Sequence, residues 1–271
     1  MIRICIAAAA ALALAACSKA PEDTTARYTL GGGAGTITVQ AAGNGNAKVE
    51  AGQQQFIRND GKDYLILTDP KGRYAAGLDD FIAVMGEMMK ESGIKPMGMP
   101  PQGEFDLTKT GGETVADVAG EVWKVAPKGA APAPAGPAAQ ETFEAVISTD
   151  PAYANIGKAL SMQTKLGAAS SEQIQGGKSN LEKRVEEMLG KGMVLRFADA
   201  LKLDKVEKGA IDAKAFALPT VLDKAALKAR LSAERDRARA AAVPPVPTPN
   251  GDAPKGAEPK AATPAPAPKA K

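Results

Sequence analysis

The sequence predicts an α+β protein: a mostly antiparallel sheet with helices packed on one face, followed by a proline-rich tail that does not fold. Three observations predict it. Short segments with two-residue apolar alternation, bounded by Gly, Asn and Asp turn signals, recur through residues 35–77 and 105–148. Segments with three- and four-residue apolar steps interrupt them around residues 78–93, 151–168 and 180–192. Strands come in runs and helices in runs, an order that favours an antiparallel sheet over the parallel sheet of strict alternation.

Taken from the N-terminus, the chain opens MIRICIAAAAALALAACSKA. One basic residue, Arg3, precedes an uncharged stretch from Ile4 to Ala16. Its length suits a signal-peptide core and falls short of the roughly 20 residues that span a bilayer as a helix. Leu14-Ala15-Ala16-Cys17 resembles the lipobox of bacterial lipoproteins. That resemblance implies removal of residues 1–16 as a signal peptide and attachment of a diacylglyceryl group to the Cys17 thiol. It also implies two or three acyl chains in all. One chain gives marginal membrane residence and two give stable anchoring, at roughly 0.8 kcal/mol per buried methylene. Ser18 is not the aspartate that often retains lipoproteins at the inner membrane, which favours the outer membrane and its periplasmic side while leaving inner-membrane retention open. An ordinary signal peptide with an incidental cysteine is the alternative. The other cysteine, Cys5, lies in the discarded segment, so the mature chain holds no internal disulfide.

Residues 17–26 read as a lipidated polar tether, and residues 27–242 as the folded domain. GTITVQA alternates with Ile37, Val39 and Ala41 on one face. AKVEAG and QQFIR follow, then the turn signal NDGK, then DYLILT, a strand apolar on both faces, and RYAAG after a second turn. In LDDFIAVMGEMMKESG the period changes: Leu78, Phe81, Ile82, Met85, Met88 and Met89 mark one helix face. Asp79 and Asp80 sit at its positive end and Gly93 stops it. FDLTKT, ETVADVAG and EVWKVA read as three strands, and the Pro/Ala/Gly insert 127–139 as a flexible loop tip. ETFEAVIST is another strand. Pro151 opens a helix to about Ala168, and NLEKRVEEMLGKG supplies a second, with Leu181, Val185, Met188 and Leu189 as its stripe. MVLRFADALKLDKVEKG reads as two strands and DKAALKARLSAERDRARAAA as a charged terminal helix. Residues 243–271 are too rich in Pro, Ala and Lys to bury an apolar core and are expected to be disordered.

Together, the lipobox, the antiparallel meander and the inserted helices resemble the half-barrel fold of the bacterial lipoprotein carrier and its outer-membrane receptor. GGETVADVAGEVWKVA is similar to a strand–glycine–Trp-Lys-Val pattern of uncharacterised periplasmic families with that fold, and VEKGAIDAKAFALP looks like their closing strand. The resemblance implies a curved sheet over residues 27–220. It carries no functional residue onto this chain.

Composition excludes more than the motifs assign. Histidine is absent, so Ser-His-Asp and Cys-His catalysis, HExxH zinc sites and imidazole acid–base chemistry are all excluded. The 34 basic and 31 acidic residues give a net charge of +3, with no basic cluster to read as a nucleic-acid face. Ser92-Gly93-Ile94-Lys95, Lys109-Thr110-Gly111 and Tyr153-Ala154-Asn155 match penicillin-binding motifs in letters. Ser92, however, closes a helix instead of opening one. GGGAG at 31–35 lacks the Lys-Ser/Thr and the helix of a phosphate loop. Asp79 and Asp80 point about 100° apart on a helix, which suits helix-end electrostatics better than a metal or carboxylate pair.

Methionine is the unevenly distributed residue: Met85, Met88, Met89, Met97 and Met99 fall close together. They read as core, as an adaptable lining for acyl chains of variable shape, or as thioether ligands for cuprous ion. The expectation is therefore a non-enzymatic envelope lipoprotein without a cofactor, lined for a hydrophobic ligand by Leu78, Phe81, Ile82, Met85, Met88 and Met89. The alternative is an interaction protein whose tail, residues 244–271, engages a partner or the cell wall.

Overall fold

The computed structural model describes residues 21–98, 103–129 and 142–242. The described residues up to Ser232 form one compact unit, and those from Ala233, helical to Ala242, belong to a second. The segment read as a signal peptide, Cys17, Met99, most of the 127–139 insert and the 243–271 tail lie outside the described residues.

The first unit is α+β, built on a curved, open sheet of twelve strands. In chain order the strands are β1 (Thr24–Leu30), β2 (Gly35–Ala41), β3 (Ala47–Ala51), β4 (Gln54–Asn59), β5 (Lys62–Asp69), β6 (Gly72–Gly77), β7 (Phe105–Val115), β8 (Val118–Pro127), β9 (Phe143–Ser148), β10 (Met193–Phe197), β11 (Leu201–Lys208) and β12 (Val221–Leu222). Helix α1 (Leu78–Glu91) follows β6. Helices α2 (Ala154–Gln175) and α3 (Asn180–Leu189) lie between β9 and β10, and α4 (Lys224–Ala242) follows β12. Across the sheet the order is β12-β6-β5-β4-β3-β2-β1-β11-β10-β9-β8-β7, antiparallel throughout except for the parallel β12–β6 pair. Two meanders, β1 to β6 and β7 to β11, are therefore welded by the pairing of β1 with β11.

Alternation decides which residues face the helices. Ala26 opposes Val39, Val39 opposes Val49, Val49 opposes Phe56, Phe56 opposes Leu65 and Leu65 opposes Ala76. This single row of cross-strand neighbours crosses six strands, and its first five members join the main core with Ile156, Ala159, Leu160 and Met162 of α2. The opposite face is mostly polar, with one apolar exception. Ile57, Ile66 and Ala75 are covered there by Phe216, Ile211 and Leu218 from the segment between β11 and β12. That accounts for the two-sided apolarity of DYLILT.

Local chemistry fixes the helix ends. Gly93, at φ 71°, lets the Gly93 N–H reach Lys90 O at 3.0 Å and the Ile94 N–H reach Met89 O at 3.2 Å, a Schellman closure of α1. Ser179 and Glu182 form a reciprocal capping box at the start of α3. Gly176, left-handed at φ 85°, closes α2.

Four expectations are corrected. Strand β1 begins at Thr24, inside the segment read as tether, and was not anticipated as a strand; its inward residues, Thr24, Ala26 and Tyr28, are polar, small and amphipathic and give little apolar contrast. Residues 105–127 form two long strands instead of three, because a bulge at Thr110 lets Gly111 and Gly112 stay paired in the ladder and Ala116-Asp117, at φ 48° and 63°, make the turn. Helix α2 continues seven residues beyond Ala168; that extension is tied down by polar bonds, not by an apolar stripe. Only the first residues of VEKGAIDAKAFALP are strand; Ala213–Phe216 is a short 3-10 helix whose Phe216 plugs the outer face.

Candidate functional site

Helix α1 offers different faces to different neighbours, and the six residues expected to line a cleft divide among them. Leu78 is buried in the main core, and Phe81 and Ile82 pack against its edge. Met88, with Val84, joins Tyr74 and Ala76 of β6 and Leu227 of α4 in a separate cluster. The space between α1 and the sheet is thus occupied by side chains. Met85 and Met89 are half-buried. Of the six, only Ile82 and Met89 border open space, and that space lies on the side of α1 facing α2. Met97, 79% exposed, is held near the end of α2 by its N–H bonding Ile174 O at 2.9 Å.

Two hollows run along the α1–α2 seam and meet at Ile82, Ala169 and Glu172. The first, about 450 Å³, is floored by Ile82, Leu160, Leu189 and Val194. The second, about 660 Å³, is bordered by Met89, Ile94, Pro96 and the backbone at Gly86 and Gly176. Both fall within the size range of ligand sites, about 300–1,000 Å³. Ile94 and Ile174, 55% and 44% exposed, add apolar surface beside the second.

Small residues permit the helices to stand this way. A Cβ on Gly157 would come within 2.7 Å of Gly192 O, so glycine there lets α2 lie directly against the turn entering β10. The Gln173 amide spans the seam and donates to Ile82 O at 2.9 Å, close above Gly86.

The rim of the first hollow is charged, and four of its charges are paired. Lys165 pairs with Asp79 at 2.6 Å, and Lys178 reaches both Glu186 oxygens at 2.8 and 3.0 Å. The Glu186 carboxylate holds the Lys178 ammonium pKa above its ordinary value, so it stays protonated in neutral solution. Lys90, at the second hollow, makes no ion pair among the described residues. Glu172, where the two hollows meet, likewise makes no ion pair among the described residues, so the seam is a largely apolar trough with an unpaired carboxylate at its middle and an unpaired ammonium toward its far end.

The groove contributions of Leu160, Ala169, Ile94 and Pro96 were not anticipated. Leu160 carried a detectable signal as an apolar residue in an amphipathic run; the rest depend on how α2 lies across α1. No protein-family model matches the chain, and no curated protein sequence is similar enough to it to count as a relative.

Proposed function

We propose that this chain is a non-enzymatic lipoprotein of the bacterial envelope, anchored by acyl chains on Cys17 and holding a hydrophobic, acyl-type ligand. Its site is the α1–α2 groove, with Ile82, Met89 and Leu160 against the chain and Lys90 placed for an anionic head. The anchor places it on the periplasmic side of the outer membrane. Support comes from the Leu-Ala-Ala-Cys sequence and from a curved, open, mostly antiparallel sheet, the architecture that the half-barrel resemblance implies. The observation that carries the ligand reading is the groove itself, apolar along its floor and open to solvent beside exposed Ile94.

The test is titration of an intrinsically fluorescent fatty acid such as cis-parinaric acid into full-length protein carrying Cys17→Ser. Saturable binding that weakens at least tenfold in Ile82→Lys supports the reading. Absence of binding, together with no lipid in native mass spectra, removes it. The anchor is tested separately: Cys17→Ala should release the protein from membranes and lose the acyl mass.

A second reading has its own observation. Beyond Ser232, α4 belongs to the second compact unit, which continues in sequence into residues 243–271. Such an arrangement suits a tail that engages a partner or the cell wall. Deleting 244–271 should abolish partner capture under this reading and leave fatty-acid binding unchanged under the first.

A further inference from the structure

On the face of the sheet turned away from the helices, a hollow of about 600 Å³ crosses β2 to β6. It owes nothing to the α1–α2 groove. Its floor is a register row: Thr38 opposes Glu50, Glu50 opposes Gln55 and Gln55 opposes Ile66, with Thr68 opposing Arg73 beside it. Thr36 and the turn residues Gln53 and Gln54 complete the wall.

Its polar groups are ordered by one another. The Arg73 guanidinium donates to Gln55 Oε1, the Gln55 amide donates to Glu50 Oε1 at 3.0 Å, and Lys48 approaches the same carboxylate at 3.4 Å. This chain fixes the Gln55 amide with its oxygen toward β6 and its nitrogen toward β3. The hydroxyls of Thr36, Thr38 and Thr68 and the side-chain amides of Gln53 and Gln54 make no hydrogen bond to a described protein group, which leaves them available to a ligand.

The lining selects a ligand class. One arginine and one glutamate line the hollow, and Lys48 pairs with that glutamate beside it, so it holds neither a cluster of cations to clamp a phosphate nor a cluster of carboxylates to hold a metal cation. Free donors and free acceptors lie side by side, and a hydroxyl is the ligand group that uses both. Planar Arg, Glu and Gln ends match vicinal hydroxyl pairs. We propose that this hollow binds a neutral oligosaccharide.

Saturation-transfer NMR and titration calorimetry of the full chain, with triacetylchitotriose and maltotriose as probes, test it. The expected result is saturable binding of at least one probe in the millimolar range, weakened about tenfold by Gln55→Ala, since hydrogen bonds to charged and polar anchors are worth that much. Thr68→Val leaves the Arg73–Gln55–Glu50 chain intact and should also weaken binding, which separates loss of contact from loss of order. Absence of binding by both probes at about 10 mM, affinity unchanged in both variants, or displacement by inorganic phosphate would overturn the proposal.

Discussion

Asp69 and Arg230, 161 positions apart, meet in a two-pronged ion pair with both contacts at 2.6 Å. Asp69 closes β5 with its side chain fully buried, and Arg230 lies on α4 with its guanidinium 3.9 Å above the Tyr74 ring. The pair pins the start of α4 to the sheet next to Leu227, which is buried with Val84 and Met88. Arg230→Ala would leave the buried Asp69 carboxylate without its guanidinium partner. We expect a loss of about 3 kcal/mol, read from urea unfolding, with Arg230→Lys recovering part of it.

Acid should loosen the same helix at a second point. Lys224 and Lys228 of α4 hydrogen-bond Glu87 of α1 and hold its carboxyl down to about 2, against an ordinary 4.5. Lys228 also pairs with Glu91 at 2.7 Å. The folded state binds the Glu87 proton more weakly than the unfolded chain. The contact therefore contributes in full above pH 4.5 and is lost as pH falls toward 2. A fluorescent label on the exposed face of α4 should report increasing mobility over that window, and Glu87→Gln should flatten the response.

Asp23 shows that the end of the region read as tether is structural. Its carboxylate accepts the Gly43 N–H at 2.8 Å and the Ile211 N–H at 2.9 Å, and those amides, Ile211 foremost, hold its pKa below the ordinary carboxylate range. Asp23→Ala should cost about 1.5 kcal/mol by leaving two backbone donors without that acceptor. Deleting residues 18–26 should abolish protease resistance, whereas a mere spacer would only be shortened.

Tyr28 points the other way. Its phenol is buried in the main core with no hydrogen-bond partner among the described residues, and burial pushes its pKa up. Tyr28→Phe removes an unsatisfied hydroxyl at constant shape and should raise stability by up to about 1 kcal/mol. A loss instead would reveal a bound water or ligand on that oxygen.

The contrast between β1 and β2 shows what the sequence made legible. Ile37, Val39 and Ala41 announce β2 by strict alternation, and all three are buried as that pattern requires. Thr24, Ala26 and Tyr28 are buried in the same alternation, but Thr, Ala and Tyr carry too weak an apolar signal to stand out from a polar tether. Charge placement and glycine stops gave the ends of α1 correctly because those are local effects. The reach of α2 past Ala168 was not legible, since it depends on bonds from Ser171 to Glu182 and from Gln173 to Ile82 O that link distant segments.

The groove divides along the same line. Period alone put Ile82 and Met89 on one stripe with Leu78 and Met88, and nothing local distinguishes the members of that stripe. Which of them ends in packing and which beside a void is decided by the arrival of Leu227 from α4 and of Leu160 from α2.

The seam between β1 and β11 has a consequence for how the molecule is made. β1 is among the first strands to leave the ribosome, yet its outer neighbour is residues 201–208. Until that late segment emerges, the early meander carries a bare flank of unpaired amides, the kind of edge that recruits foreign strands. Contacts of such long sequence separation also slow folding. A chain of this design needs to be shielded from premature association until its last strands are made, and any product truncated ahead of Leu201 keeps that flank open for good.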